Sequence, residues 1–202
     1  MEFTIRAATE SDMLEISEVH RICFPDSFST KLGNKLLSKY YFEFYLENPS
    51  LFYVCENENG KICGFVMGYI LGRTNAISSF MKKNRVNMAF KVFLQLLLLD
   101  KLVWKKVANL FKKKKASSSE PATDKDGQGD LLSICVTDEM KGSGAASALV
   151  EKYEEAVKDL GCGKCYLTCE TSNPRGLAFY KKLGYSIDNE TQNKICFRKD
   201  LD

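Results

Sequence analysis

The chain has 202 residues, 45% of them hydrophobic and 27% charged, which are ordinary values for one soluble globular domain. A domain of this length buries roughly 70% of its unfolded surface, so the fold needs no metal or disulfide to hold it together. The net charge of +3 is too small to indicate a nucleic-acid partner, and we expect none.

The first third of the chain reads as one strand, two helices and a pair of strands. Hydrophobic alternation begins almost at once and no signal peptide precedes it, which favours a cytoplasmic protein. Thr9 or Ser11 can cap the first helix, and Asn57-Glu58-Asn59-Gly60 is typical of a hairpin turn. The predicted strands lie at 3–7, 51–56 and 62–71, and the predicted helices at 9–23 and 31–46.

The middle of the chain departs from this pattern. Residues 75–115 are predicted to form a helical insertion, and 116–130, which are poor in apolar residues, a flexible linker. Apolar residues recur at helical spacing from Met88 to Leu110 with lysines opposite, and seven lysines lie within 101–115. This helix, 88–115, can pack over the fold with solvated lysines or lie peripherally on an anionic membrane. Its apolar stretch at 92–99 is too short to span a bilayer, which needs about 20 such residues.

The last third alternates strands and helices again. The predicted strands lie at 131–136, 164–170, 185–187 and 194–198, and the predicted helices at 144–160 and 174–183. Such alternation predicts an α/β fold with a mixed, twisted sheet of about six to seven strands flanked by helices. We expect residues 1–202 to form a single domain, with the helical insertion placed before the fourth strand.

The turn that follows the predicted fourth strand can bind an anion. Lys141-Gly142-Ser143-Gly144 joins this strand directly to a helix. The first turn of a helix leaves backbone N–H groups unpaired and carries partial positive charge, while glycines let a phosphate approach closely. A pyrophosphate group fits such a turn, although a glycine-rich connection without a ligand is the alternative. The spacings of a P-loop and of G-x-G-x-x-G are both absent.

Two motifs, one at Lys141–Ala146 and one at Asn173–Tyr185, resemble those of the GNAT family of N-acetyltransferases, of the bacterial small-molecule type. Lys141-x-x-Gly144-x-Ala146 is similar to its pyrophosphate signature, with lysine replacing the usual Arg or Gln and Asp138 standing where many members have proline. The run 173–185, Asn-Pro-Arg-Gly-Leu-Ala-Phe-Tyr-Lys-Lys-Leu-Gly-Tyr, resembles the family's Asn-x-x-Ala-x-x-Phe-Tyr segment. The resemblance is close over 131–187, loose in the N-terminal part and absent from the middle helices.

The resemblance implies the GNAT fold, acetyl-CoA as co-substrate, no metal, and an acetyl transfer to an amine. The backbone of the fourth strand would lie beside the pantetheine arm, the turn would hold the pyrophosphate, and Asn173 would contact the cofactor near its thiol. Tyr180 would donate a proton to the departing thiolate, because a phenol with a pKa near 10 is protonated at neutral pH. The implied acetyl-CoA residues are Ile134, Cys135, Val136, Lys141, Gly142, Ser143, Gly144, Ala145, Ala146, Ser147, Asn173 and Tyr180.

The general base and the acceptor site are less constrained by the motifs. Asp130 is the first candidate for the base, since some family members place a carboxylate there; Glu170 or bulk water are the alternatives. The loop that begins at Phe24 should help to form the acceptor pocket, while the single histidine, His20, is expected to be a helix-surface or packing residue. The predicted acceptor-binding residues are Asp26, Ser27, Phe28, Tyr69 and Glu170.

Several alternatives for the function remain open. The loop after Phe24 resembles a bacterial GNAT subgroup of cell-surface sugar pathways, so a nucleotide-linked amino sugar is the leading acceptor. A peptide or protein N-acetyltransferase, or a non-catalytic acyl-CoA sensor, are the others, and a homodimer is possible. Cys162-x-x-Cys165 precedes a strand instead of opening a helix, so we expect the eight cysteines to be free thiols.

Overall fold

The computed structural model describes residues 2–97, 125 and 127–201, and for 92–97 it describes the backbone alone. Seven strands form one sheet in the order β1-β2-β3-β4-β5-β7-β6, and all neighbours are antiparallel except β4 and β5. This confirms the predicted α/β class and mixed sheet. The strands are β1 (Phe3–Ala7), β2 (Phe52–Asn57), β3 (Ile62–Ile70), β4 (Gly129–Val136), β5 (Lys164–Glu170), β6 (Ser186–Glu190) and β7 (Lys194–Asp200).

Helices cover both faces of this sheet. The α-helices of the described residues are α1 (Met13–Cys23), α2 (Phe28–Lys31), α3 (Asn34–Glu47), α4 (Ala76–Lys83), α5 (Arg85–Leu97), α6 (Ala145–Asp159) and α7 (Pro174–Lys182). α1 and α3 pack on one face around Phe65 and Met67 of β3, and α6 packs on the other face around Val66. β3 is buried on both faces, which explains its nearly continuous apolar sequence.

α1 and α6 each bury a stripe of residues at helical spacing. Met13, Ile16 and Val19 of α1 are buried at spacings of three, and Leu149 and Tyr153 of α6 at a spacing of four. The predicted helix at 31–46 is instead divided into α2 and α3, because Gly33 takes a positive φ of 85° that a helix interior does not use.

The part of the helical insertion that the structure describes consists of two helices, α4 and α5. Phe80, Asn84 and Met88 recur every four residues on their buried side, over Leu32 and Leu36 of the N-terminal part. Residues 98–124 lie outside the described part of the chain, so the remainder of the insertion and most of the linker stay predictions.

The predicted linker at 116–130 ends earlier than the sequence suggests. The amide of Gly127 donates to the carbonyl of Leu71 at 2.9 Å, and the amide of Leu71 donates to Gln128 at 2.8 Å. β4 then starts at Gly129, so Gly129 and Asp130 belong to the sheet. The alternation of apolar and polar residues starts only at Leu131, which is why the sequence places the strand two residues late.

Candidate active site

The two parallel strands at the centre of the sheet separate and leave a wedge between them. β4 and β5 pair only where Gly129–Leu131 meets Cys165–Leu167. β4 then continues to Val136 paired with β3 alone, and β5 continues to Glu170 paired with β7 alone. The backbone of Ile134, Cys135 and Val136 therefore faces the wedge without a strand partner on that side.

A β-bulge marks the point where the strands separate. Met67 pairs with Ser133 and Gly68 pairs with Leu131, so Leu132 is one extra residue in β4. Only glycine fits opposite the bulge, since a Cβ on Gly68 would lie 2.3 Å from the carbonyl oxygen of Asp130 and 2.1 Å from Tyr153 Oη. Bulges bend a strand and increase its twist, which directs β4 away from β5.

At the wide end of the wedge, the turn before α6 exposes backbone donors. Gly142 and Gly144 have φ values of 83° and 93°, a left-handed conformation that other residues rarely adopt. Ser143 Oγ donates to the carbonyl of Met140 at 2.8 Å and accepts from the amide of Ala145 at 3.2 Å, which fixes the turn. Within the described residues, the amides of Gly142, Gly144, Ala146 and Ser147 have no hydrogen-bond acceptor.

These unpaired amides lie at the N-terminus of a helix of 15 residues, where the helix dipole adds partial positive charge. The Lys141 ammonium contacts the carboxylate of Asp138, and it holds the pKa of that exposed carboxyl below its ordinary value. Lys141 is thus beside the turn and can exchange this exposed partner for a phosphate. The turn has the donors and the charge to hold a pyrophosphate.

Tyr180 projects from α7, the helix that follows β5 on the other side of the wedge. Its ring centroid lies 5.9 Å from that of Tyr185 and 5.9 Å from that of Phe197, and burial raises its pKa above the ordinary value. No described residue hydrogen-bonds to its hydroxyl. Tyr180 therefore stays protonated at neutral pH with a proton free to be donated.

Asn173 caps the helix that carries Tyr180. Its Oδ1 accepts a hydrogen bond from the amide of Gly176 at 3.0 Å, which satisfies one of the first donors of α7. A Cβ on Gly176 would lie 2.5 Å from Asn173 Nδ2, so this cap requires glycine. The cap uses the amide oxygen, which leaves the NH₂ group for a ligand.

The predicted base and one predicted acceptor residue lie in contact. Asp130 and Tyr69 are register partners on β4 and β3, and Tyr69 Oη donates to Asp130 Oδ2 at 2.7 Å. Burial raises the pKa of Asp130 above its ordinary value, while Tyr69 and the nearby Lys125 oppose the shift. A carboxylate with a raised pKa is a better proton acceptor near neutral pH.

Residues 111–185 match the model of the acetyltransferase (GNAT) family. Similar solved structures include Ard1 from Thermoplasma volcanium, with a TM-score of 0.61 and 16% identity over 100% of this chain and 99% of that one. The chain has the GNAT fold.

Two further structures share this GNAT fold over almost the whole chain. The PaiA N-acetyltransferase from Thermoplasma acidophilum, in complex with coenzyme A, has a TM-score of 0.58 and 15% identity over 99% of both chains. The ribosomal-protein-S18-alanine N-acetyltransferase from Escherichia coli has a TM-score of 0.57 and 14% identity over 100% of this chain and 95% of that one.

The other predicted acceptor residues are distributed around the GNAT fold. Ser27 caps α2, where its Oγ accepts from the amide of Thr30 at 3.1 Å, and Asp26 beside it is exposed. Phe28 packs on the cluster that joins α3 to the insertion. Glu170 is exposed at the end of β5, four residues beyond the partner of Asp130 and hence about 13 Å along the strand. The structure brings Tyr69 and Asp130 together and leaves Glu170 apart.

Of the two expectations for His20, the structure supports the packing residue and excludes the helix-surface residue. His20 is 7% exposed and hydrogen-bonded at both ring nitrogens: Nδ1 lies 2.5 Å from Tyr41 Oη and Nε2 lies 3.1 Å from Ser27 Oγ. Burial lowers its pKa to about 4, so the ring is neutral at pH 7. One sequence signal was available, since His20 stands four residues after Ile16 on the buried stripe of α1.

The eight cysteines are free thiols. Cys162 and Cys165 are both buried, and Cys165 Sγ accepts from Tyr185 Oη at 3.3 Å, so the Cys-x-x-Cys pair is part of the core under α6. Within the described residues, no group of three or more metal-ligating side chains lies close together.

Proposed function

We propose that the protein is an acetyl-CoA-dependent N-acetyltransferase acting on the primary amine of a small acceptor. The observation that supports this most is the wedge itself, which combines an unpaired β4 backbone, a glycine turn with free amides and a protonated Tyr180. CoA is long enough to contact the β4 backbone, the glycine turn and Tyr180 at once, with its pyrophosphate at the turn and its thioester along β4. In this arrangement Lys141 to Ser147 hold the phosphates and Asn173 contacts the thiol end.

Each group has one task in the transfer. The amine nitrogen forms a bond to the thioester carbonyl carbon while the carbon–sulfur bond breaks. Asp130 takes the proton that the amine loses, and Tyr180 gives its proton to the CoA sulfur. Backbone N–H groups of β4 stabilise the negative charge that develops on the carbonyl oxygen.

We propose a nucleotide-linked amino sugar as the acceptor. Tyr69 and Asp130 are polar side chains in contact on adjacent strands, where they suit a hydroxyl-rich substrate. A peptide or protein amine is the alternative, and the S18-alanine N-acetyltransferase with the same fold is a protein of that type. A non-catalytic acyl-CoA sensor is the alternative to an enzymatic function, and the free hydroxyl of Tyr180 disfavours it.

The experiment is the release of CoA thiol from acetyl-CoA with a panel of nucleotide amino sugars, free amino sugars, polyamines and N-terminal peptides. Turnover confined to an amino sugar supports the proposal in full, and turnover on peptides alone retains the enzyme class but overturns the acceptor. Bound acetyl-CoA with no turnover on any amine overturns the enzymatic function in favour of the sensor.

We also propose that the helical insertion contacts an anionic membrane surface, through the basic helix predicted at 88–115 together with α4 and α5. Val86 and Phe90 are 76% and 61% exposed, and the sequence from Ala76 to Leu97 contains four basic residues and no acidic one. No helix among the described residues is long and apolar enough to cross a bilayer. Cytoplasmic location and a homodimer stay predictions.

Co-sedimentation with vesicles tests this contact. We expect binding to phosphatidylglycerol vesicles but not to phosphatidylcholine vesicles, and weaker binding for the double variant V86D/F90D. Leu46→Asp is the control, since Leu46 is a similarly exposed apolar residue on α3. Equal binding by the double variant and the control would contradict a contact through α4 and α5.

A further inference from the structure

A groove of about 580 Å³ lies between α1, α3 and α5. This volume is within the roughly 300–1,000 Å³ range of small-molecule sites. Its described lining is mostly apolar and includes Leu14 of α1, Leu36 of α3 and Phe90 of α5. Leu36 is buried, whereas Leu14 and Phe90 are 53% and 61% exposed. The groove therefore has an apolar floor and apolar walls that reach the surface.

The charged residues of the groove are all basic. Among its described lining residues these are Lys35 and Lys39 of α3 and Lys91 of α5, and all three are exposed. Within the described part of the chain, none of the three forms an ion pair. The groove thus combines an apolar interior with a cationic rim.

The helices that form the groove supply no counter-charge to it. Every acidic residue of α1 and α3 is bonded to a group outside the groove lining, and α5 contains no acidic residue. The four acids and their partners are Glu15 with the Ile62 amide, Glu18 with Asn34, Glu43 with Lys83 and Glu47 with Thr74. The three lysines are therefore left for a partner from outside these helices.

The lysines also stand where their charges are unfavourable. Lys35 and Lys39 are four residues apart on one face of α3, an arrangement that destabilises a helix when the charges are alike. Lys91 Nζ lies 3.6 Å from the position of a Cβ on Gly33, the residue that precedes α3. The dipole of α3 places partial positive charge at this end, which repels a cation. An anion held between the three lysines would remove both repulsions.

We propose that this groove binds the head group of an anionic phospholipid, with the phosphate between Lys35, Lys39 and Lys91 and the first part of an acyl chain against Leu14 and Phe90. This inference rests on the membrane contact proposed above and names the lipid group that makes it. An inorganic anion would use the lysines and leave the apolar walls in water. An amphiphile with an anionic head uses both.

The surface beside the groove also fits a lipid layer. Val86 stands one turn before Phe90 on α5 and both are exposed, so apolar surface continues beyond the groove. The sequence that follows α5 does not suit the three lysines, because residues 101–115 carry seven lysines and no acid. An acidic peptide would match the charge but would leave the apolar surface uncovered.

Titration with dihexanoyl-phosphatidylglycerol, kept below its micellar concentration, tests the groove without a membrane. Calorimetry should show saturable binding of one lipid per chain, and roughly tenfold or weaker binding of dihexanoyl-phosphatidylcholine and of inorganic phosphate. Leu14→Ser should weaken the lipid roughly fivefold and leave phosphate binding unchanged, because only the chain contacts Leu14. Leu46→Ser is the matched control, since Leu46 is 54% exposed at the other end of α3.

Vesicles test whether the groove makes the membrane contact. The triple variant K35Q/K39Q/K91Q should bind phosphatidylglycerol vesicles roughly 100-fold more weakly, since each lysine near an anionic surface contributes roughly a factor of five. K61Q/K152Q/K194Q makes the same change of net charge with exposed lysines of other elements and should bind like the native protein. Circular dichroism checks that both triple variants are folded.

The outcomes separate the groove from the contact on which it rests. No binding of the soluble lipid, phosphate binding as tight as the lipid, or tighter binding of hexaglutamate would each overturn the phospholipid site, as would equal vesicle binding by the two triple variants. Failure of the native protein to bind vesicles would overturn the membrane contact, and the soluble-lipid titration would still decide whether the groove takes the head group. Thiol release with the amine panel tests the acetyltransferase proposal independently of these results.

Discussion

At the scale of single residues, burial decides which groups of the wedge carry protons. Burial raises the pKa of the Tyr180 hydroxyl, so this group is protonated throughout the neutral pH range and can donate its proton. We expect Tyr180→Phe to lower kcat by roughly 10²–10⁴-fold, the usual contribution of a general acid, with little change in acetyl-CoA affinity. Thiol release and calorimetric titration measure the two quantities. Tyr53→Phe on β2 is the control, and an unchanged kcat in Tyr180→Phe would remove Tyr180 from the mechanism.

Burial also raises the pKa of Asp130. Tyr180 must be protonated to act as an acid, whereas Asp130 must be ionised to act as a base. Its raised pKa predicts that kcat/KM increases with pH through a value above the ordinary range of a carboxyl group. Asp130→Asn still accepts from Tyr69, so we expect a folded protein with a much lower kcat and without this rise. A native pH profile in Asp130→Asn would exclude Asp130 as the base; Glu155→Gln, an exposed acid of α6, is the control.

His20 makes the stability of the fold depend on pH. Its pKa is about 4 in the folded protein and about 6.5 unfolded, so between these values the unfolded chain binds more protons. The free energy of unfolding should therefore fall as the pH decreases from 7 to 4, by an amount on the order of 3 kcal/mol. Urea denaturation across this range measures the fall. His20→Gln should lose this part of the pH dependence, and equal slopes in both proteins would contradict the assignment.

At the scale of elements, the sequence predicts what is local. The motifs at 141–146 and 173–185 identified the turn and α7 because each lies on adjacent residues. The division of the helix at Gly33 was missed, since a glycine inside an amphipathic pattern signals a break only through its φ. The bulge at Leu132 was missed as well, because it depends on the register with β3.

Contacts between elements that are distant in the chain could not be predicted either, because they too depend on strand register and on how the elements pack. The sequence suggests Asp130 through the family resemblance and Tyr69 through its position alone, and only the register of β3 and β4 shows that they touch. His20 meets Tyr41 and Ser27 because α1, α3 and the loop converge, which no periodicity reveals. The roles proposed for Asp26, Phe28 and Glu170 stay predictions.

The turn before α6 gives an element-scale prediction. Alanine at Gly144 must either hold a φ of 93° at a cost of about 1 kcal/mol or move the turn and its free amides. We expect Gly144→Ala to weaken CoA binding roughly 10- to 100-fold, the value of one hydrogen bond to a charged group. Calorimetric titration measures the affinity. Gly60→Ala is the control, because Gly60 also has a positive φ, 71°, in the distant β2–β3 turn.

At the scale of the whole molecule, the wedge divides the sheet into two parts. β1 to β4 form one part and β5, β7 and β6 the other, and three residue pairs between β4 and β5 join them. α6 packs against both parts and supplies the turn. A ligand that binds to β4, the turn and α7 would connect the two parts of the sheet at the place where only three residue pairs join them.

CoA should therefore stabilise the native protein measurably. A ligand that binds only the native state at 100 times its Kd contributes about 2.7 kcal/mol, which for a chain of this size raises Tm by roughly 5–11 °C. Thermal unfolding with and without CoA, at a concentration set from the titrated Kd, measures the shift. Gly144→Ala at the same CoA concentration should show a much smaller shift and Gly60→Ala the native one. Equal shifts in both variants would place CoA away from the turn, because of these two glycines only Gly144 lies in the turn before α6.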